Sequence, residues 1–110
     1  MPLDAFELKD VGFLKIDVEG AEFAVLRGAL RTITTSKPKM MVEINGDQIG
    51  EERLRRTVTW IEKLNYDCFF FSNRRIVAFR HFDLERDQLR PQRERDIRNY
   101  ANNFIFLPVP

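Results

Sequence analysis

The stretch Phe13-Leu14-Lys15-Ile16-Asp17-Val18-Glu19-Gly20-Ala21-Glu22 decides the fold that the sequence of this 110-residue chain predicts. A short apolar run ends in two acids and a glycine, and a helix-periodic stretch follows. This pattern is typical of a parallel strand that places carboxylates at the carboxyl-end edge of an α/β sheet, where such folds usually bind their ligands. We therefore expect an α/β domain with Asp17 and Glu19 at one edge of its sheet.

Strand-like and helix-like segments alternate along the rest of the chain. This alternation predicts a mostly parallel sheet with right-handed crossovers, to which the C-terminal hairpin and last strand add an antiparallel edge. The strand at residues 12–18 is nearly continuous in apolar residues and is expected to be buried on both faces. The predicted segments are a helix at 21–33, a strand at 40–45, a helix at about 50–64, a hairpin of 68–71 with 76–79, a polar stretch without sustained period at 81–103, and a last strand at 104–107.

Composition and charge exclude several classes of protein. Eighteen basic and seventeen acidic residues leave a net charge of +1, which gives no electrostatic reason to expect a nucleic-acid partner. No apolar stretch is long enough to cross a membrane. The N-terminus lacks the pattern of a signal peptide, and the single cysteine, Cys68, is expected to be a buried thiol. These features favour a cytoplasmic protein.

Two charged residues, Lys15 and Glu43, lie inside runs that otherwise predict sheet core. Side chains alternate along a strand, so Lys15 shares a face with Asp17, and Glu43 shares a face with Asn45. Because an unpaired buried charge is costly, we expect Lys15 and Glu43 to form a buried or half-buried pair between adjacent strands. The residues alone leave two interpretations open: a charge network that only orders the sheet edge, or a pocket at the carboxyl ends of the strands.

Two further acids, Glu19 and Glu22, bracket the start of the first predicted helix. Free backbone N–H groups and the helix dipole favour a carboxylate there, and this role is sufficient to explain Glu22. Glu19 lies in the turn itself, next to Asp17, and stays a candidate for chemistry. The acids also argue against a phosphate site at this helix, since they would repel an anion.

The stretch Lys15-Ile16-Asp17-Val18-Glu19-Gly20-Ala21-Glu22 closely resembles a signature of the FkbM-type methyltransferases, which transfer a methyl group from S-adenosylmethionine. Leu3-Asp4 is similar to a short element ahead of that signature. The resemblance covers most of the chain, and its first forty-five residues are the specific part. Its other matching stretches are Val25-Leu26-Arg27-Gly28-Ala29, Pro38 with Met41-Val42-Glu43-Ile44, and residues 103–108.

The resemblance implies a Rossmann-like methyltransferase sheet and O-methylation of a small molecule or sugar. In enzymes of this fold the position of Asp17 faces the methyl donor and the acceptor, so the resemblance makes Asp17 the first catalytic candidate and Glu19 the second. Lys15, Glu43 and Asn45 are the substrate-binding candidates. Some O-methyltransferases of this fold hold a divalent cation with a similar set of acids and an amide. Glu43 and Asn45 are separated by Ile44, however, and we expect no metal.

The chain departs from the family in its glycines. The glycines at 12, 20, 28, 46 and 50 do not form the glycine-rich strand-to-helix turn that holds such a cofactor, so the cofactor-binding residues are unknown. We therefore expect residues 1–110 to be the C-terminal part of a methyltransferase domain whose cofactor-binding N-terminal half is absent. Such a chain is expected to be inactive alone.

In a half-domain of this kind, we expect one strand at the edge of the sheet to be exposed, because the strand that would pair with it belongs to the other half. The strand at 12–18 should lack a neighbour on one side, and part of the sheet's apolar face should be open. Natural edge strands are usually protected by more charges than Lys15 alone provides. We expect a homodimer that pairs two copies of this strand antiparallel, and a non-catalytic interaction module is the alternative function.

Overall fold

The computed structural model describes residues 2–17 and 20–110, which form an α/β domain around one five-stranded sheet. The spatial order of the strands is β1-β2-β5-β3-β4, so β1 lies at one edge and the last strand of the chain lies in the middle. The strands are β1 Phe13–Ile16, β2 Lys39–Glu43, β3 Tyr66–Ser72, β4 Arg75–Ala78 and β5 Asn103–Pro108.

The α-helices occupy connections between the strands. A π-helix at Glu85–Leu89 continues directly into α5. No helix in the described ranges has the combination of length and apolar character that a membrane span requires. The α-helices are α1 Glu22–Gly28, α2 Leu30–Ser36, α3 Gly46–Ile49, α4 Glu51–Glu62 and α5 Arg90–Arg93, and short 3-10 helices lie at Leu3–Phe6, Phe79–His81 and Ile97–Asn99.

The expectation of a mostly parallel sheet is wrong. Only β1 and β2 are parallel neighbours, whereas β5 pairs antiparallel with both β2 and β3, and β4 pairs antiparallel with β3. The difference arises because β5 is inserted between β2 and β3 instead of being added at an edge. The helix-linked strands β1, β2 and β3 nevertheless all run in one direction, since β2 and β3 are both opposed to β5.

One face of the sheet carries the hydrophobic core. The buried residues of β1, β2 and β5 occupy alternate positions that the strand register places on the same face. Buried side chains of α1, α2 and α4 belong to the same core cluster, so the helices pack on this face. Its central members are Ile16, Leu26, Ile33, Met40, Val42, Leu54, Val58, Ile61, Phe70, Phe104 and Phe106.

The opposite face of the sheet is open over much of its area. Phe13 is 58% exposed and Phe71 is 44% exposed, and Ile76 is exposed as well. The expectation that 12–18 is buried on both faces is therefore wrong, because β1 is an edge strand whose second face has little cover. The expectations of an edge at this strand and of open apolar surface are confirmed for the residues described.

Several local predictions are confirmed. β3 and β4 form the expected hairpin, whose two-residue turn holds Asn73 and Arg74 at φ of 47° and 63°. Asn65 adopts the expected left-handed conformation after α4, with φ of 67°. Cys68 is buried, and this burial raises the pKa of its thiol.

The structure differs from prediction in two helical regions. The stretch predicted as one helix at 21–33 is divided at Ala29 into α1 and α2. The break comes directly after Gly28, a residue of low helix propensity that lies against Pro2. The polar stretch at 81–103 contains the π-helix and α5. The π-helix was not predicted, because its most buried side chains, Asp87 and Gln88, are polar and therefore produce no apolar periodicity in the sequence.

Candidate functional site

The carboxyl end of β1 holds two of the predicted site residues, Lys15 and Asp17, and both are exposed. They line a shallow cleft of about 490 Å³ at the free edge of the strand, together with apolar residues of β1 and α1. No hydrogen bond or ion pair of the Asp17 side chain is found within the described ranges, so this carboxylate is accessible to a ligand. Glu19, the second catalytic candidate, lies outside the described residues.

Glu22 has the structural role that the sequence predicts for it. Its side chain is only 3% exposed, and Oε1 accepts a hydrogen bond from the backbone N–H of Gly20 at 3.2 Å. Gly20 itself has φ of 73°, a conformation that glycine adopts without strain. Glu22 therefore stabilises the turn into α1.

A hydrogen-bonded cluster of polar side chains lies beyond the carboxyl end of β2, and we call it the β2-end network. Asn102 Nδ2 donates to Glu43 Oε1 at 2.9 Å and to Asn45 Oδ1 at 3.1 Å. The Tyr100 hydroxyl lies 2.7 Å from Asp47 Oδ1 and 2.9 Å from Asn45 Oδ1, and its single proton can be donated to either oxygen. The network thus joins the end of β2 to the segment that leads into β5.

Gln88 supports this network from within the core. Its side chain is completely buried, and Nε2 donates to the carbonyls of Ile44 at 2.9 Å and Ala101 at 3.0 Å. Its Oε1 accepts from the backbone N–H of Asp47 at 3.1 Å. One side chain therefore fixes three backbone groups that neighbour the network.

Gly46, at the start of α3, is closely surrounded by the side chains of its neighbours. A Cβ there would lie 2.6 Å from Leu54 Cδ1 and 3.0 Å from Gln88 Oε1. Contacts this short do not occur without displacement of a neighbour. The glycine lets the backbone pass close to Gln88, so that the hydrogen bond to Asp47 can form.

Burial, and then the hydrogen bond and charge of Asp47, raise the pKa of the Tyr100 hydroxyl above its usual range. Tyr100 is neutral and a hydrogen-bond donor at pH 7, as any tyrosine is, and the shift extends this state to a higher pH. Since Asn45 is 5% exposed and its Oδ1 is engaged, the members that are partly accessible at this end are Glu43, Asp47, Tyr100 and Asn102.

The two strand ends meet at one edge of the sheet. Lys15 is in register with Met41 and Ile16 with Val42, so Asp17 and Glu43 are the next positions on two parallel strands. The expectation that Lys15 and Glu43 form a buried or half-buried pair is wrong, because the Lys15 side chain is exposed. Glu43 Oε1 accepts a hydrogen bond from Asn102 Nδ2.

A cleft of about 680 Å³ lies beside the β2-end network, between the β3–β4 hairpin and the segment that precedes β5. We call it the hairpin cleft. Tyr100 and Asn102 belong both to its lining and to the network, so the network faces a space large enough for a small molecule. The full lining is Phe71, Arg74, Ile97, Arg98, Tyr100, Asn102 and Asn103.

Sequence reasoning missed Asp47, Tyr100 and Asn102. Tyr100 and Asn102 precede β5 in a polar stretch without periodicity, and only the antiparallel pairing of β5 with β2 brings them to the carboxyl end of β2. The continuous apolar run of β5 was the available signal for a central strand. Among the described residues, no group of three or more His, Cys, Asp or Glu side chains is arranged to hold a metal ion.

Comparison with known proteins identifies the family. The model of the methyltransferase FkbM domain matches residues 1–68. The chain belongs to the FkbM methyltransferase family. The matched part contains β1 and β2 with the acids at their carboxyl ends, and it confirms the resemblance that the signature suggested. Neither the curated proteins nor the solved structures gave a match.

Proposed function

We propose that this chain carries the acceptor-binding part of an S-adenosylmethionine-dependent methyltransferase that methylates a hydroxyl group of a small molecule or sugar. The observation that carries the proposal is the family match over residues 1–68, which includes both strands that present Asp17 and Glu43 at one sheet edge. Ligands of open α/β sheets bind at the carboxyl ends of the strands, where these acids lie.

The strand directions support a Rossmann-like sheet. β1, β2 and β3 run in one direction and are joined by helical segments, which is the connection that such a sheet requires. β5 and β4 are the strands that oppose them. We propose on this basis that residues 1–110 correspond to the C-terminal half of a methyltransferase domain, with β1 at the side where the other half would join.

The described residues do not fit S-adenosylmethionine. In these ranges the turns from β1 to α1 and from β2 to α3 each carry one glycine, Gly20 or Gly46, and neither turn has the repeated glycines of a cofactor loop. Gly46 is also packed against Leu54 and Gln88, so its turn has no open space. We propose that the chain alone does not bind the cofactor in the usual way.

The accessible acids have distinct roles in the proposal. Asp17 accepts the proton of the acceptor hydroxyl, since its exposed carboxylate lies at the rim and is not bonded to described neighbours. Glu19 stays the second candidate for this role. Lys15 and Glu43 contact the substrate, and Tyr100 Oη and Asn102 Oδ1 can each accept a hydrogen bond from it, since the protons of both side chains are used within the network. Asn45 orients Tyr100 and Asn102 from beneath.

Paired substitutions in a full-length family member with the same signature test the role of Asp17. Asp17→Asn keeps the size of the side chain but removes the base, and we expect turnover to fall about 10²-fold or more. Glu22→Gln is the matched control because a glutamine oxygen can still accept the bond from Gly20. Equal losses of turnover for both variants would contradict the assignment.

Titration calorimetry tests the cofactor proposal on the chain itself. We expect no heat of binding at S-adenosylmethionine concentrations up to about 1 mM, a limit that corresponds to a binding free energy near −4 kcal/mol. Methyl transfer by the isolated chain should also be undetectable. Micromolar binding would overturn this part of the proposal and would require a cofactor site of a different kind.

The free edge of β1 favours a second function, association between two copies of the chain. β1 pairs with β2 on one side, and Phe13 is strongly exposed beside it. We propose a two-fold dimer in which two copies of residues 12–18 pair antiparallel. Light scattering over a concentration series tests this: dimers that Phe13→Lys disrupts would support it, and a monomer at high concentration would refute it.

A further inference from the structure

Two arginines lie in the lining of the hairpin cleft, and no acidic residue does. Arg74 is at the tip of the β3–β4 turn, and Arg98 is in the 3-10 helix Ile97–Asn99. In the described part of the chain, neither guanidinium takes part in a hydrogen bond or an ion pair with another side chain. The cleft therefore has a net charge of +2 from its lining residues.

A neighbouring cleft differs from the hairpin cleft in the charge of its lining residues. It has a volume of about 610 Å³ and lies on the other side of the hairpin, next to α5. Its three arginines are accompanied by three acids, and Arg86 is bonded to the buried Asp87 at 3.0 Å. Its lining is thus neutral when His81 is uncharged, whereas the hairpin cleft is cationic.

The backbone brings the two arginines together from distant parts of the sequence. The N–H of Asn73 donates to the carbonyl of Arg98 at 3.1 Å, which joins the hairpin tip to the 3-10 helix. Arg74 follows Asn73 directly, in the left-handed conformation of the two-residue turn. This connection uses main-chain atoms, so both guanidinium groups are left available at the mouth of the cleft.

The rest of the cleft has a different chemistry. Phe71 and Ile97 supply exposed apolar surface, and Ile97 is 89% exposed. Tyr100 and Asn102 present the polar groups of the β2-end network. The cleft therefore combines cationic, apolar and hydrogen-bonding surfaces within a volume suited to a small organic molecule.

We propose that the hairpin cleft binds a small hydroxylated organic anion, whose carboxylate or phosphate is held by Arg74 and Arg98. Guanidinium groups form paired hydrogen bonds with both kinds of oxyanion, and carboxylate and phosphate share this chemistry. Hydroxyl groups of the ligand face Tyr100 and Asn102. That the ligand is the methyl acceptor rests on the proposed function, but its binding does not require the cofactor.

A nuclear magnetic resonance titration of the ¹⁵N-labelled chain tests the proposal. The probes are glucuronate and glucose 6-phosphate, with glucose as the neutral control, all at constant ionic strength. We expect both anions, or one of them, to shift the amide signals of residues 71–74 and 97–103, and glucose to leave them unchanged. A response to only one anion identifies the oxyanion that the site prefers.

Arginine variants show whether the cleft itself is responsible. Arg98→Gln and Arg74→Gln should each weaken anion binding roughly tenfold, the loss that one charge-assisted hydrogen bond implies. Arg75→Gln is the matched control, because it removes the same charge next to Arg74 in a side chain that lines the neighbouring cleft. Arg98→Gln keeps the main-chain bond to Asn73, so it remains informative if Arg74→Gln is poorly folded.

Three outcomes would overturn the inference: no shifts with either anion, equal shifts with glucose, or an equal loss of affinity in Arg75→Gln. The proposed function fails separately. Suppose that anions bind in this cleft but that Asp17→Asn and Glu22→Gln lower the turnover of a full-length relative equally. This result would reject the catalytic role of Asp17 and leave the inference about the cleft intact. An active relative, with no anion binding to this cleft, would reject the inference alone.

Discussion

The carboxyl ends of β1 and β2 lie side by side, yet their side chains differ in exposure and in hydrogen bonding. At the end of β1, Asp17 is exposed and has no bonded partner among the described residues. At the end of β2, every side chain of the network is hydrogen-bonded to another member. The difference shows that one edge of this sheet contains both an accessible acid and a preorganised polar surface.

Position in the sheet explains the contrast. β1 is an edge strand, and among the described residues β2 is its only strand neighbour. β2 has β5 as its other neighbour, and the residues that enter β5 cross the end of β2. Substitutions at the β2 end should therefore cost stability, whereas substitutions at the β1 end should cost activity alone.

Gln88→Leu should produce the largest change, because it removes the support of the β2-end network. Leucine has nearly the same volume but leaves two buried carbonyls and one part-buried N–H without their Gln88 partner. We expect the free energy of unfolding to fall by about 3 kcal/mol, since each unsatisfied buried group costs about 1–3 kcal/mol. Urea denaturation measures this change. Gln92→Leu, at an exposed position of α5, is the control, and an equal effect there would contradict the role of Gln88.

Gly46→Ala should come next in size. The added methyl group would overlap Leu54 and press on Gln88, and relief of such overpacking typically costs about 1–3 kcal/mol. Denaturation midpoints compare it with Gly12→Ala, where a Cβ meets no atom within 4 Å. If both alanine variants are equally stable, the close approach at Gly46 is not a constraint.

Tyr100→Phe should remove about 1 kcal/mol at neutral pH, the net value of a typical hydrogen bond. The variant also tests the pH dependence. Because the folded state raises the pKa of Tyr100, its stabilising contribution is complete below the unfolded pKa of about 10 and is lost as the pH rises through the folded pKa. The stability of Tyr100→Phe should thus fall less steeply above pH ~10 than that of the native chain.

Tyr66 is the internal comparison for this alkaline effect. Burial raises the pKa of Tyr66 to about 12, and its hydroxyl donates to the carbonyl of Pro38 at 2.7 Å. Its contribution should also be lost between the unfolded pKa and about 12. Unfolding followed across this pH range should show that Tyr100→Phe and Tyr66→Phe each reduce part of this loss of stability. No change in the alkaline profile of either would contradict the assigned burial.

The sequence predicted the elements that local rules determine and missed those that depend on long-range pairing. The hairpin followed from two apolar runs around Asn73 and Arg74, and α4 from the spacing of Leu54, Val58 and Ile61. The insertion of β5 could not be read from spacing, because an apolar run does not reveal its neighbours. Of the candidate site, Asp17 was found at the end of an apolar run that belongs to the signature, and Glu43 was found as a charge inside an apolar run. Tyr100, Asn102 and Gln88 were not found, because they lie in a polar stretch of the sequence that has no apolar periodicity.

The smallest expected change compares one substitution at both strand ends. Asp47→Asn weakens the bond that the Tyr100 hydroxyl donates at 2.7 Å, and we expect a loss of about 0.5–1.5 kcal/mol. Asp17→Asn removes an exposed charge without a described partner, so the free energy of unfolding should change by less than about 0.5 kcal/mol. Thermal and urea unfolding measure both variants under one set of conditions. A loss above about 1 kcal/mol for Asp17→Asn would mean that this carboxylate stabilises the turn into α1. A fall in turnover of a full-length relative could then no longer be attributed to proton transfer. If the stability is unchanged, the same fall in turnover locates the chemistry at the β1 end.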